Sequence, residues 1–279
     1  MLNKDIKNIY IIGCGSSYYA ALTGTYTIPN LSLNVHALPS SEFLLYYLSK
    51  LPNNTAVIAL SRSGKTAETL TALKKANSKD VTTIALTCSK DSPLEREAEY
   101  GIFLDIGEEK SIVMTKTFSS ACLNLLKISK SIRDEKISER FPEAIRKLIE
   151  EYEENIKELS GRVASSNFVF VLSHREGYPI AREGSLKMME GSIVPTAPFH
   201  ILEFRHGPKA LLDKDTTVIA ILAEDSMFKE NIKVIEECVE KGANVILITN
   251  SREKIDGTNT IFIDLDDPSE FSVAAITPI

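Results

Sequence analysis

The stretch Thr55-Ala-Val-Ile-Ala-Leu-Ser-Arg-Ser-Gly-Lys-Thr66 decides how this chain reads. An uncharged run rich in Val, Ile and Leu ends in a turn of small and hydroxyl residues, and residues 67–73 (Ala-Glu-Thr-Leu-Thr-Ala-Leu) continue as a helix. A strand that feeds a helix N-terminus presents unpaired backbone N–H groups and the positive end of the helix dipole to an anion. Ser61, Ser63 and Thr66 add hydroxyl donors, and Gly64 lets the backbone come close. This is the chemistry of a phosphate cradle. The P-loop pattern G-x-x-x-x-G-K-[ST] is absent, and an ordinary strand-to-helix loop capped by Ser and Thr has the same local appearance.

A second turn of the same kind points further. Asn8-Ile-Tyr-Ile-Ile-Gly-Cys-Gly-Ser-Ser-Tyr18 is another apolar strand, ending in Gly15, Ser16 and Ser17 ahead of a helical run. In a parallel sheet the turns at the strands' carboxyl ends converge on one crevice, so two hydroxyl-rich turns face one ligand. The Gly13-x-Gly15 pair has no third glycine at dinucleotide spacing, which argues against a nicotinamide site.

Working outward, short apolar runs at 9–12, 56–60, 82–87 and 100–104 alternate with helical stretches, the pattern of βαβ units. A charged, helix-rich connector occupies about 131–159, and the alternation restarts with runs at 167–172, 216–222, 243–249 and 260–265. The matching order predicts an internal duplication with a period of about 160 residues. The predicted fold is α/β, with two tandem doubly wound parallel-sheet subdomains: residues 1–160, which carry the phosphate-binding turns and the connector, and residues 161–279. The halves differ in chemistry. Where the first has 61–66, the second has Ala223-Glu-Asp-Ser226, with two acids in place of donors.

Composition narrows the class. The chain has 279 residues, 43% of them hydrophobic and 25% charged, as in a globular protein. A net charge of −6 and the lack of a basic stripe with interleaved aromatics argue against a nucleic-acid partner. No apolar stretch is long enough to span a bilayer, and the start lacks a signal-peptide pattern. Cys14, Cys88, Cys122 and Cys238 are far apart with no C-x-x-C, so a reducing cytoplasm is expected, without disulfide or structural zinc. No cofactor is expected.

In the second half, Ile180-Ala-Arg-Glu-Gly-Ser-Leu-Lys-Met-Met-Glu190 puts Glu183, Lys187 and Glu190 at helical spacing on one face. Glu203-Phe-Arg-His-Gly-Pro208 follows as a compact polar cluster. A carboxylate beside a lysine, with a histidine available, suits proton transfer next to a carbonyl or imine. A solvated helix with one Glu183–Lys187 pair, worth about 0.3–0.5 kcal/mol, would read the same way. His36, His174 and His200 have no comparable setting, and no histidine pair has metal-ligand spacing.

Five motifs, in order, resemble the sugar isomerase (SIS) family, in particular the isomerase half of glucosamine-6-phosphate synthase and SIS-type glucosamine-6-phosphate deaminases. They are Gly13-Cys-Gly-Ser-Ser-Tyr18, Ser61-Arg-Ser-Gly-Lys-Thr66, Glu109-Lys-Ser-Ile-Val-Met-Thr-Lys-Thr-Phe118, Tyr178-Pro-Ile-Ala-Arg-Glu-Gly-Ser-Leu-Lys-Met-Met-Glu190 and Glu203-Phe-Arg-His-Gly-Pro208. The resemblance implies an aminosugar-phosphate ligand held by Ser17, Ser61, Ser63 and Thr66, with Ser16 on the sugar and the backbone at Ile112 closing the pocket. It implies Glu190 as the base between C1 and C2, His206 as the ring-opening group, and Glu183–Lys187 as a supporting pair. It also implies a homodimer with composite sites, His206 coming from the other subunit. Arg62 stands where the synthase has glutamine, as in the deaminase and ketose/aldose isomerase branches, and a guanidinium there adds a bidentate-capable phosphate contact.

The synthase also carries a glutamine-hydrolysing domain and a tail lysine. This chain starts Met1-Leu2 and ends at Ile279 with neither, so it is expected not to take ammonia from glutamine by itself. The function expected is an isomerising deaminase that converts glucosamine 6-phosphate to fructose 6-phosphate and ammonia. The alternatives are another aldose/ketose phosphosugar isomerase, a deglycase, or a non-catalytic phosphosugar sensor. A sensor has no need for Glu190 together with His206.

Overall fold

The computed structural model describes residues 6–28 and 33–279. Two compact units divide the chain, Met1–Lys136 and Ile137–Ile279. In the first, β1 (Asn8–Gly13), α1 (Ser16–Thr27), β2 (Asn34–Pro39), the single turn α2 (Ser40–Glu42), β3 (Thr55–Leu60), α3 (Ala67–Asn77), β4 (Thr82–Thr87), α4 (Pro93–Glu97), β5 (Tyr100–Phe103) and α5 (Lys116–Ile132) follow one another. The second contains α6 (Phe141–Ala164), β6 (Phe168–Ser173), α7 (Tyr178–Gly191), β7 (Thr196–His200), β8 (Thr216–Leu222), α8 (Phe228–Glu240), β9 (Asn244–Thr249), β10 (Thr258–Phe262) and α9 (Pro268–Ala274).

Each unit holds one five-stranded parallel sheet, in order β2-β1-β3-β4-β5 and β10-β9-β8-β6-β7. Counted within its unit, each order is 2-1-3-4-5, the flavodoxin-like winding, whose switch point lies between the first and third strands. The duplication read from the sequence is therefore a duplication of topology.

The central strands form because nothing in them resists burial on both faces. All six residues of β3 and all seven of β8 are buried. On one face of the first sheet Tyr10, Ile12, Val57, Ala59 and Ala85 pack with Phe43, Leu73 and Leu94; on the second, Phe170, Leu172, Val218, Ala220, Val245 and Leu247 pack with Phe204, Ile232 and Ile235. Full burial of each large aliphatic side chain contributes about 1.5–3 kcal/mol. α3 follows the same logic: Thr69, Ala72, Leu73 and Ala76 form its buried stripe, with Glu68 in the first turn and Lys74 and Lys75 in the last to match the dipole.

Two strands were not read from the sequence, and they correspond to each other. β2 (Asn-Val-His-Ala-Leu-Pro) and β7 (Thr-Ala-Pro-Phe-His) are edge strands, only partly buried, and each contains a proline. An edge strand tolerates proline and polar residues because one side of its ladder is unpaired. The strand expected at 260–265 runs instead over Thr258–Phe262. The long helix counted with the first subdomain, α6, belongs to the second unit, where the Tyr152 hydroxyl accepts from the Phe262 N–H of β10.

Candidate functional site

β1 and β3 are neighbours in register (Ile12 opposite Ala59), so the turns after them leave the same edge of the first sheet at its switch point. Neither α1 nor α3 has a side chain capping its N-terminus. Ser16 and Ser17 open α1 and are both buried. In the other turn the Ser61 N–H is held by the Leu86 carbonyl (3.1 Å), and the Gly64 N–H bonds back to the Ser61 carbonyl (3.2 Å). The Ser61 and Thr66 hydroxyls lie 2.9 Å apart, and the Ser63 hydroxyl accepts from the Lys65 N–H at 3.2 Å.

Two glycines are required here. A Cβ on Gly13 would come within 2.6 Å of the Ser17 carbonyl carbon. Gly64 has φ +60° and a Cβ there would overlap the Ser92 hydroxyl. Below the turns, the Thr69 hydroxyl of α3 bonds Ser40 (2.8 Å) and contacts the Cys14 sulfur (3.7 Å), so one buried threonine ties together the loops after β1, β2 and β3.

Arg62 does not stand free over this cradle. Its Nη1 donates to the carbonyls of Ser111 (3.2 Å) and Ile112 (3.3 Å) and lies 3.6 Å from Glu109 Oε2. The Ile112 side chain is 92% exposed, so this residue is held through its backbone alone. Glu109, which the sequence reading gave no role, accepts from the N–H groups of Thr115 (2.8 Å) and Thr117 (3.3 Å) and from both threonine hydroxyls. Burial alone would raise its carboxyl, but these hydrogen bonds outweigh it and hold the group below the ordinary carboxylate range.

In the second unit, α7 begins with Pro179 in its first turn and turns Glu183, Lys187 and Glu190 to one face. Lys187 Nζ sits 3.3 Å from Glu183 Oε1 and 2.6 Å from Glu190 Oε2. The Glu183 side chain is 1% exposed and that of Glu190 is 41% exposed. The trio therefore differs from a solvated helix pair. Lys187 links a carboxylate inside the fold to one that reaches solvent.

His206 is exposed in the loop between β7 and β8, where its backbone N–H bonds the Glu203 carbonyl at 3.0 Å. On either side of it Arg205 and Lys209 reach Glu237 of α8, at 2.7 and 2.9 Å. The Lys209 bond is the strongest influence holding the Glu237 carboxyl below its ordinary value, and Arg205 adds to it against burial. Clamping both flanks fixes the backbone that carries His206. Sequence spacing gave no sign of this, because Glu237 lies 31 residues further on, across the sheet's next βα unit.

Two of the other histidines, His174 and His200, have settings after all. The second sheet's switch point lies between β6 and β8, which are paired strands. Just beyond their ends, His174 Nε2 and Asp225 Oδ2 are 2.9 Å apart, and His174 Nδ1 is 3.2 Å from the amide of buried Asn231. The acidic turn that replaces the first unit's donors thus meets an imidazole. Burial would raise Asp225, but the His174 bond and the Met227 N–H keep it below its ordinary value.

His200 stacks on Tyr178, ring centroids 3.6 Å apart. Burial pushes its imidazole below the ordinary 6.5, Glu203 opposes the shift, and His174 and Arg182 add to it. The unfolded chain therefore takes up this proton at a higher pH than the folded one. The contribution to stability is fully present above 6.5 and is lost as pH falls through the lower folded value. The midpoint of urea unfolding is expected to fall more steeply from pH 7 toward pH 5 in the wild type than in His200→Phe, which keeps the stack but cannot titrate. Parallel profiles would remove His200 from the pH response.

The fold and these turns define a tandem flavodoxin-like α/β protein with one donor-lined switch point and one closed by a histidine–aspartate pair. The SIS domain model matches residues 4–127 and 163–277, and the chain belongs to the SIS domain family. It is 30% identical over 267 residues to glutamine–fructose-6-phosphate aminotransferase (isomerizing) of Clostridium tetani, a match that covers 90% of this chain and 43% of that protein. The chain thus spans less than half the length of this curated relative. A solved C-terminal domain of glucosamine-fructose-6-phosphate aminotransferase from Francisella tularensis superposes with TM-score 0.89 over 99% of this chain and 82% of that one. At 22% identity that likeness carries the fold alone. Glucosamine-6-phosphate deaminase from Thermotoga maritima gives TM-score 0.81 at 26% identity, over 98% of this chain and 84% of that structure. No helix of the described residues is long and apolar enough to cross a membrane.

Proposed function

We propose that this chain is a phosphosugar isomerase that acts as a glutamine-independent deaminase, converting glucosamine 6-phosphate and water to fructose 6-phosphate and ammonia. The observation that carries the reading is the Glu183–Lys187–Glu190 trio, in which a half-exposed carboxylate is hydrogen-bonded to a lysine that is itself anchored by a buried carboxylate. Ser17, Ser61, Ser63 and Thr66 hold the phosphate, and Ser16 contacts the sugar. His206, contributed within a homodimer by the other copy, passes the proton between O5 and O1 that opens the ring. Glu190 then removes the C2 proton and returns it to C1, while a proton from the amine ends on O1. C1 becomes a hydroxymethyl group and C2 an imine. Water adds to the imine, C2 becomes a ketone, and ammonia leaves.

The 2.6 Å contact with Lys187 keeps Glu190 aimed before the transfer, as a base needs. The name of the Thermotoga maritima structure, glucosamine-6-phosphate deaminase, supports the choice of substrate. The widely spaced free cysteines suit a cytoplasmic enzyme. The test is an assay on glucosamine 6-phosphate without glutamine that follows both products. Equimolar ammonia and fructose 6-phosphate support the deaminase. Interconversion of aldose and ketose phosphates without ammonia would replace it by a plain isomerase, and tight binding without turnover by a sensor.

A further inference from the structure

We propose that Glu109 is a positioning residue that fixes residues 109–117 as a strap beside the phosphate turn, and that Arg62 bridges this strap to the bound phosphate. The phosphate half rests on the proposed function; the strap half stands on geometry alone.

The strap is closed at its base by one carboxylate. Glu109 accepts four hydrogen bonds from Thr115 and Thr117, and its side chain is 5% exposed. These threonines begin α5, a 17-residue helix whose N-cap side chain makes no capping bond. Glu109 therefore caps α5 from outside, a negative group at the positive end of the dipole. Lys116 adds a bond from its Nζ to the Glu108 carbonyl at 2.6 Å. Between these anchors the chain loops out to Ser111 and Ile112, and the tip of the loop hangs from Arg62.

Arg62 is placed for two tasks. Its backbone is fixed in the cradle turn, where its carbonyl accepts from the Cys88 N–H and the Thr87 hydroxyl, both at 3.2 Å. Among the described contacts its guanidinium donates through Nη1 alone. Guanidinium carries five N–H donors in a planar fork, so Nε and Nη2 can meet a phosphate in the cradle while Nη1 stays on the strap. A bound phosphate then reinforces the bridge, and the bridge brings the strap to the ligand. Glu109 sets both, because it holds the strap's base and supplies the charge nearest Arg62.

Trypsin reads the strap directly, since Lys110 lies within it. Without ligand, Glu109→Gln is expected to be cut after Lys110 about tenfold faster than wild type, the loss of one charged hydrogen-bonded anchor. Its KM for glucosamine 6-phosphate rises about tenfold while kcat changes little, a split that a general loss of folded enzyme would not give. In wild type, glucosamine 6-phosphate slows the Lys110 cut, and in Arg62→Gln it no longer does. Should Glu109→Gln fold poorly by circular dichroism, Thr117→Val, which removes one hydroxyl donor and keeps the shape, carries the same comparison. Equal cutting rates in the wild type and these variants, a kcat loss at constant KM, or ligand protection retained in Arg62→Gln would each overturn the proposal. If wild type neither binds nor turns over the sugar phosphate, the proposed function fails, and the ligand-free cutting rates still judge the strap.

Discussion

Glu190→Gln is expected to lower kcat on glucosamine 6-phosphate by about 10²–10⁴-fold, the usual worth of a positioned general base. KM should stay close to the wild-type value. Glutamine matches glutamate in size and still offers an oxygen to Lys187 Nζ, which in the wild type lies 2.6 Å from Glu190 Oε2. What it loses is the ability to accept the C2 proton, a need that arises only in the transition state. The binding half is independent of this side chain, because the proposed phosphate donors all lie in the first unit. Steady-state kinetics with a direct binding measurement check both halves. A kcat within a few-fold of wild type would remove Glu190 from the role of base.

Lys187→Met is expected to destabilise the protein by about 3–5 kcal/mol at neutral pH, the cost of splitting a buried ion pair. Glu183 is almost fully enclosed, with Lys187 at 3.3 Å, so removing the ammonium takes a positive charge from beside a carboxylate that water does not reach. The deficit has a pH signature. Burial favours the neutral form of a carboxyl that has lost a positive neighbour. The loss is then largest at neutral pH and shrinks as pH falls toward the ordinary carboxylate range. Glu183→Gln combined with Lys187→Met should recover most of the stability, because the pair is then removed whole and not split. Urea unfolding across pH distinguishes this from simple loss of lysine packing, which is indifferent to pH and gains nothing from the second change.

Much of the fold was legible because central strands of a parallel sheet need continuous apolar runs, and β1, β3, β4, β6, β8 and β9 have them. The edge strands β2 and β7 were not, since half-burial relaxes composition enough to admit His36 and Pro198. At the site, residues close in sequence were legible: Ser61 with Thr66, and Glu183 with Lys187 and Glu190. What escaped were partners brought together by the winding of the sheet. Arg62 meets a carboxylate 47 residues on and turns out to be engaged with the chain itself. His174 meets Asp225 across 51 residues, and Glu237 reaches back to Arg205 and Lys209. Spacing rules describe one helix or one strand. They do not reach across a βαβ crossover.

The closed switch point of the second sheet bears on how the two halves are free to drift. In the first unit the crevice residues would answer to the proposed ligand, so each hydroxyl would be held in place individually. In the second, His174 and Asp225 answer mainly to one another, and Asn231 to His174. Among descendants of this sequence such residues change as a set, with an imidazole–carboxylate pair giving way to another complementary pair. On the proposed function, the duplicated architecture thus contains one copy read by an outside molecule and one whose switch-point residues answer to each other.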